Sequence, residues 1–336
     1  MREKIEKMDT LIAKSILSEI KKAKKILLAL HVSPDPDGAS SVLALDLVLK
    51  KMGKKTKLIS YSQIPFEISG LPGIEKIKMA DFAKENLADF DLFISLDSAQ
   101  SRMVTRSPWP EKFPPKFKII NIDHHVSGQK FGDINLVEVI SSTAEVLYDL
   151  FQAWRVKIDK EVAYLLFWGI FADTGCFQYP STSPKTLRIA ADLLEKGGSL
   201  NDCVLLDFRS YNFKTLKYWG RILANMQMDE SGLFIWSKIT RAENEELGVN
   251  PTEIMSAATL FAPIVFGTKF GIILHEEGEN LIRGSLRSRA EDFDVSKIAT
   301  EFGGGGHQRA AGFSLALPMA EAEKKVLEVA RKLVVK

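Results

Sequence analysis

The chain opens on apolar residues at helical spacing. Ile5, Met8, Leu11, Ile12, Ile16, Leu17 and Ile20 recur among lysines and glutamates, predicting an amphipathic first helix with a solvated lysine face. The pattern then changes to "KILLALH" (25–31), a continuous apolar run of strand length. In "HVSPDPDG", which follows, Pro34 and Pro36 predict a non-helical turn, and "ASSVLALDLVLKKMG" then reads as a helix stopping at Gly53. "KTKLISYS" (55–62), "DLFISLDSA" (91–99) and "FKIINIDHHVS" (117–127) repeat the strand pattern. Strand, turn, helix and strand in that order form the unit of an open parallel sheet.

Helical spacing returns in "SSTAEVLYDLFQAW", in "EVAYLLFWGIFADTG" and in "STSPKTLRIAADLLEKGG", the last with Ser-Pro at its start and Gly-Gly at its stop. Residues 200–228 are helical in pattern and mixed in polarity, which suits a connector. Beyond them "LFIWSKIT", "FGIILHEE" and "NLIRGSLRS" read as strands of a smaller second domain. It ends with "EFGGGGHQRAAGFSLAL" and a helix from about residue 318.

A length of 336 residues also favours two domains. The net charge is +2, from 45 basic and 43 acidic residues, so the chain lacks the basic excess of proteins that coat long nucleic acids. A small anionic ligand remains compatible. Cys176 and Cys203 are the only cysteines, too few for a disulfide scaffold or a thiolate zinc site. The charged start has no signal-peptide core, and no run approaches the roughly 20 apolar residues that span a bilayer. The expectation is a cytoplasmic protein without a membrane partner.

Three strands are apolar until their C-terminal ends, where charge appears abruptly. In open parallel sheets ligands sit outside those ends. The strands at 25–31, 91–99 and 117–127 thus deliver His31, Asp35, Asp37, Asp97, Asp123, His124 and His125 to one rim, and Asp173 closes a helix in the same domain. Alone, each piece has an ordinary reading: Asp-Pro-Asp as a turn, Asp-His-His as a surface loop, Asp-Thr-Gly as a helix cap. Together they imply a cation, because clustered buried carboxylates repel unless charge offsets them. Histidines mixed with carboxylates and no nearby thiolate favour manganese, with magnesium or cobalt as substitutes. Two such ions about 3.5–4 Å apart activate water and steady an in-line phosphoryl displacement. Asp97, alone at its strand end, is the candidate to bridge them.

In "GGGGHQRAAG" (303–312) the glycines let backbone approach a ligand and offer amides to an anion. His307 is expected where the chain turns into a helix. A flexible loop is the alternative, but no serine or proline interrupts the run. Arg283, Arg287 and Arg289 lie along a strand and its exit, as phosphate contacts or as a solvated face. His275 has no assignable role.

The four N-terminal motifs and "GGGGHQRAAG" resemble the DHH phosphoesterase superfamily, specifically its DHH–DHHA1 branch, over nearly the whole chain. The resemblance implies an α/β fold with a mainly parallel, five-stranded-type sheet flanked by helices over residues 1–199. A helical linker (200–228) and a smaller α/β DHHA1 domain across a cleft (229–336) would follow. It implies His31, Asp35 and Asp97 on one manganese, and Asp37, Asp97, His124 and Asp173 on a second. Asp97, Asp123 and His125 are the implied catalytic set, with Asp123 supporting a histidine and His125 facing the substrate phosphate as donor or acid. Arg283, Ser285, Arg287, Gly304, Gly305, Gly306 and His307 would bind substrate. Two departures bear on substrate preference: Ser40 and Ser41 follow "DGA" where relatives often have Gly-Ser after the motif aspartate, and Ala172 precedes Asp173 where many have threonine.

The branch includes bacterial nanoRNase/pAp-phosphatase proteins and stand-alone cyclic-dinucleotide phosphodiesterases. The implied substrates are very short oligoribonucleotides, linear dinucleotides such as pApA, and pAp, with no long nucleic acid. The alternatives are cyclic di-AMP hydrolysis, nucleotide binding without turnover, and inorganic pyro- or polyphosphate hydrolysis. A homodimer is compatible with each.

Overall fold

A computed structural model describes residues 10–65, 68–125, 130–208, 211–249 and 257–334; Ile5 and Met8 of the first apolar seam lie outside them. The chain divides into two compact units, Met1–Ser210 and Tyr211–Lys336, each built on a six-stranded sheet.

In the first unit all strand pairs are parallel, in the order β3-β2-β1-β4-β5-β6. The strands are β1 (Lys25–Leu30), β2 (Lys55–Ser60), β3 (Lys78–Met79), β4 (Leu92–Leu96), β5 (Lys118–Asp123) and β6 (Ile134–Val137). That is one strand more than the five-stranded type expected. The two-residue edge strand β3 is too short for its sequence pattern to reveal it. The strand order reverses between β1 and β4, the crevice where open parallel sheets bind ligands.

Helices α1 (Thr10–Lys22), α2 (Pro36–Lys51), α4 (Thr143–Ala153), α5 (Lys160–Asp173) and α6 (Pro184–Glu195) bury one large core. In α1, Ala13, Ile16 and Ile20 are buried, whereas Leu11 of the same seam is exposed. The core holding Leu27, Ala29 and Phe93 is covered differently, by aromatics from turns and loops. Phe82 meets Phe93 and stacks on Trp109, with Phe113, Phe117 and Phe131 around them. Prolines at 108, 110, 114 and 115 bar a long helix there, so side-chain bulk does the covering. The short helix α3 (Ser101–Val104) and α7 (Leu200–Phe208) complete this unit.

The turn expected at Pro34–Asp37 requires correction. Asp35 is the N-cap of α2 and Pro36 its first residue, where a missing N–H costs nothing, so Asp37 lies in the first helical turn. Gly53, with φ 75°, follows the end of the helix as expected.

The second unit has a mixed sheet in the order β11-β12-β10-β9-β8-β7. Its strands are β7 (Gln227–Met228), β8 (Phe234–Ile239), β9 (Phe270–Gly278), β10 (Leu281–Ser288), β11 (Gly305–His307) and β12 (Ala310–Ala316). Helices α10 (Ser296–Thr300) and α11 (Met319–Val334) cover one face through Ile298, Val326 and Ala330. On the other, Ile239 and Ile273 pack with residues 257–258 and with Tyr218, Trp219 and Ile222 of α8 (Phe213–Ala224); α9 (Arg241–Leu247) follows β8. The glycine-rich segment does not lead into a helix. It forms the tight β11–β12 hairpin, Gly306 opposite Ala311 and His307 opposite Ala310. A Cβ on Gly304 would lie 2.2 Å from Gly312 O, and one on Gly306 2.4 Å from Ala310 O, so the strands close only over glycine.

Candidate active site

Three strand ends and three helix ends meet at the C-terminal rim of the parallel sheet. His31 directly follows β1 and is buried. Its Nε2 lies 3.3 Å from Asp35 Oδ1 and 3.5 Å from Asp97 Oδ2, yet neither ring nitrogen has a hydrogen-bond partner. Asp97 follows β4 with φ 55°, a left-handed conformation that aspartate tolerates better than most residues, and its N–H donates to Ile122 O. Asp123 ends β5. His124 Nε2 is 3.5 Å from Asp97 Oδ1 and 3.4 Å from Asp173 Oδ2, at the last residue of α5. Its Nδ1 lies 3.2 Å from Ile140 O.

Asp37 accepts at its two oxygens from the backbone N–H groups of Thr143 (2.7 Å) and Ala144 (3.0 Å), the first residues of α4. Asp123 Oδ1 accepts from the His124 N–H and lies 2.8 Å from His125 Nδ1; Oδ2 is buried without a partner. His125 itself is about half exposed, with 48% of its side chain accessible.

The electrostatics follow from this crowding. Burial, then the charges of Asp97, Asp173 and Asp35, push Asp37 well above the usual carboxylate range. Asp97 is raised by burial and by Asp35, and Asp173 is raised by burial to about 6 although His124 opposes the shift. Burial pulls His31 down, but the carboxylates of Asp35 and Asp97 outweigh it and leave His31 raised. The hydrogen bond to Asp123 holds His125 at about 9. A site that strains to keep protons on its acids, and leaves a buried imidazole unpartnered among carboxylates, has the charge and donors a divalent cation needs. Three overlapping groups could each hold one: His31–Asp35–Asp97, Asp37–His124–Asp173 and Asp97–His124–His125.

In the second unit, Arg283, Ser285 and Arg287 alternate along β10 with the buried Ile282, Gly284 and Leu286. Cross-strand pairing puts Ser285 in line with Gly312 and Gly305, and Arg287 in line with Ala310 and His307, on one sheet face. Arg283 instead donates to Glu277, and Arg287 to Thr259 Oγ1 and Leu286 O. His275 is buried opposite Arg283 with no partner on either nitrogen, and burial drives it down to about 4.

Residues 25–170 match the N-terminal domain of the DHH family, and residues 236–336 match the DHHA1 domain. The chain is 30% identical over 321 residues to the bifunctional oligoribonuclease and PAP phosphatase NrnA of Thermus thermophilus, covering 94% of this chain and 93% of that protein. It is 25% identical over 299 residues to the NrnA of Bacillus subtilis, covering 86% and 89%. The crystal structure of an exopolyphosphatase-related protein from Bacteroides fragilis superposes with a TM-score of 0.84 and 26% identity, covering 99% of each chain.

The chain belongs to the DHH family. It is a hydrolase of phosphoesters, and the metal dependence of DHH phosphoesterases agrees with the clustered acids and histidines of its rim. Among the described residues, no helix of this DHH protein is long and apolar enough to cross a membrane.

Three contributors to the DHH rim escaped sequence reasoning. Thr143 is buried and its hydroxyl donates to Asp97 Oδ1 at 2.9 Å, so one helix start steadies Asp37 and Asp97 together. Gly38 is required because a Cβ there would lie 2.8 Å from both His31 Cδ2 and Nε2. Gly169, inside α5, would bring a Cβ to 2.6 Å from Asp37 Oδ1 and 2.7 Å from Ala144 Cβ. The only sequence signals were a threonine after two serines in "SSTAEV" and a glycine in the middle of an apolar helix. The two departures leave the geometry intact: Ser40 and Ser41 are buried inside α2, and Ala172 sits in the last turn of α5.

Proposed function

We propose that this protein is a manganese-dependent phosphodiesterase that degrades very short oligoribonucleotides and linear dinucleotides such as pApA to nucleoside monophosphates, and that it also removes the 3′-phosphate of pAp. The observation that carries the reading is a pair of His/Asp groups, His31–Asp35–Asp97 and Asp37–His124–Asp173, joined through a third that shares Asp97 with one and His124 with the other, in a chain whose curated relatives of nearly equal length are named for these two activities.

His31, Asp35 and Asp97 would hold one ion; Asp37, Asp97, His124 and Asp173 would hold the other. When bound, the two ions supply water activation and neutralise charge on the reacting phosphate. The protein's own groups do the rest. Asp123 accepts from His125 and so fixes that ring with its other nitrogen available to the substrate. His125, which its hydrogen bond to Asp123 raises to about 9 in the metal-free protein, is placed to donate a proton toward a phosphate or leaving-group oxygen. The N-terminus of α4 and Thr143 keep Asp37 and Asp97 aimed. Ser285, Arg287, His307 and the amides of Gly305 and Gly306 bind a phosphate of the substrate; Gly304, whose own N–H donates to Ala299 O, serves by its close approach to the next strand, and Arg283 flanks them. A net charge of +2 suits a ligand with few phosphates.

The test is a hydrolysis panel with manganese on pApA, oligoribonucleotides of increasing length, pAp, cyclic di-AMP and pyrophosphate, with Asp97→Ala as control. The expected result is fastest cleavage of the shortest linear substrates and loss of all turnover in the control. Cyclic di-AMP or pyrophosphate cut fastest would overturn the substrate assignment. Nucleotide binding without product would overturn the enzyme itself.

A further inference from the structure

Beyond Asp173 the backbone does something costly. Gly175, Cys176 and Phe177 have φ of 55°, 60° and 63°, three left-handed residues in a row, two of them carrying side chains. The turn is held by Thr174, which is buried and whose hydroxyl accepts from the Phe177 N–H, while its carbonyl accepts from the N–H groups of Gln178 and Tyr179. The two aromatic rings of this turn go different ways. Phe177 packs inward on Phe167 and Phe171. Tyr179 is folded back over the Cα of Gly175, where an added Cβ would meet its ring atoms at 2.4–2.7 Å, and it remains 52% exposed. One face of that ring is seated on the backbone of Gly175, two residues beyond Asp173. Val139, 68% exposed, precedes the residue whose carbonyl touches His124. Large apolar side chains left in water beside a charged rim suit a ligand that is itself part apolar.

The geometry points to a nucleobase subsite at Tyr179: the base of the nucleotide whose phosphate is cleaved stacks on the exposed ring, with Val139 as an aliphatic flank. This rests on the reading of the protein as a short-oligonucleotide phosphodiesterase and adds how the scissile nucleotide is held. A stacked base is recognised by its π-face, so the subsite accepts all four bases.

The experiment measures binding of AMP and of ribose 5-phosphate, the same ligand without its base, by calorimetry with manganese present, for wild type, Tyr179→Ala and Tyr179→Phe. The expected preference for AMP is about tenfold in wild type, from the usual worth of one base–aromatic stack. It should fall to near unity in Tyr179→Ala, which removes the ring, and persist in Tyr179→Phe, which keeps it. KM for a linear dinucleotide should rise by a similar factor in Tyr179→Ala, while the affinity for manganese stays unchanged. A preference for AMP that survives Tyr179→Ala, or equal weakening of both ligands, overturns the subsite even if the enzyme cleaves dinucleotides. A wild-type protein that cleaves none, yet shows a preference for AMP that depends on the ring, keeps the subsite and overturns the proposed function instead.

Discussion

Replacing Thr143 by valine removes one hydroxyl and little else. Among the described residues, that hydroxyl is the hydrogen-bond donor to the Asp97 carboxylate, at 2.9 Å and fully buried. Asp37 should be untouched, because its two donors are backbone N–H groups that valine retains. A hydrogen bond to a charged group contributes about 1.5–3 kcal/mol. Loss of a group that orients a metal ligand typically lowers affinity by roughly 10–100-fold, or about 1.4–2.8 kcal/mol, which agrees. The metal-free fold should lose less, since burial and Asp35 already push Asp97 toward its neutral form. Titration calorimetry of manganese into metal-free protein gives the affinity, and thermal unfolding with chelator gives the stability. Thr143→Ser, which restores the hydroxyl, should recover most of the binding. Valine binding within twofold of wild type, or serine as weak as valine, would refute the claim that this contact prepares Asp97 for an ion.

Gly38→Ala should separate stability from binding. Alanine favours the helix by up to about 1 kcal/mol, but its Cβ displaces the His31 ring, so the manganese-induced rise in Tm should shrink while the metal-free Tm changes little. Gly169→Ala should lower the metal-free Tm as well, by an overpacking cost of about 1–3 kcal/mol, because its Cβ meets Asp37 and Ala144 in a closed core; an unchanged Tm would show that α5 can shift freely. Without metal, stability should fall as pH rises above about 4.5; below it, carboxyls that the fold holds down, Asp35 and Glu243 among them, act in the opposite sense. Folded Asp173 holds its proton to about 6 against 3.8 unfolded, and Asp37 and Asp97 are raised too, so deprotonation favours the unfolded chain through that window. His31 and His125 act the same way, their stabilisation complete below 6.5 and, for His125, lost as pH rises through about 9. His275 opposes this only below 6.5, where its folded pKa of about 4 makes acid destabilising. Chelator-treated protein should therefore unfold at lower temperature at high pH, and saturating manganese, whose ligands bind deprotonated, should flatten the slope. A Tm in chelator that climbs steadily with pH would contradict the assignment of raised carboxyls.

What is legible along the chain is whatever is local. An apolar run that ends abruptly in Asp or His marks the C-terminal edge of a buried parallel strand, because only there does the backbone leave the covered sheet. Residue order alone therefore puts His31, Asp97 and Asp123 on one rim. Gly53 is legible as a helix stop for the same reason, since its φ of 75° suits glycine whatever surrounds it. Pro36 misleads because proline breaks a helix everywhere except in its first turn, and that position depends on where the helix begins. Glycine runs are permissive, so "GGGGHQRAAG" is compatible with loop, helix start or hairpin; only the close approach of Gly304 and Gly306 to β12 decides for the hairpin.

The support of the rim is not local at all. Thr143 reaches Asp97 across 46 positions and Asp37 across 106, and Gly169 matters only because α2, α4 and α5 converge on one point. Sequence alone thus determined which side chains could serve as ligands and which sheet edge they occupy, since both follow from residue type and from alternation along a strand. Tertiary structure alone decided which of them meet, how each carboxylate is aimed, and which glycines are indispensable. Those are distances between segments far apart in the chain, and no local pattern encodes a distance.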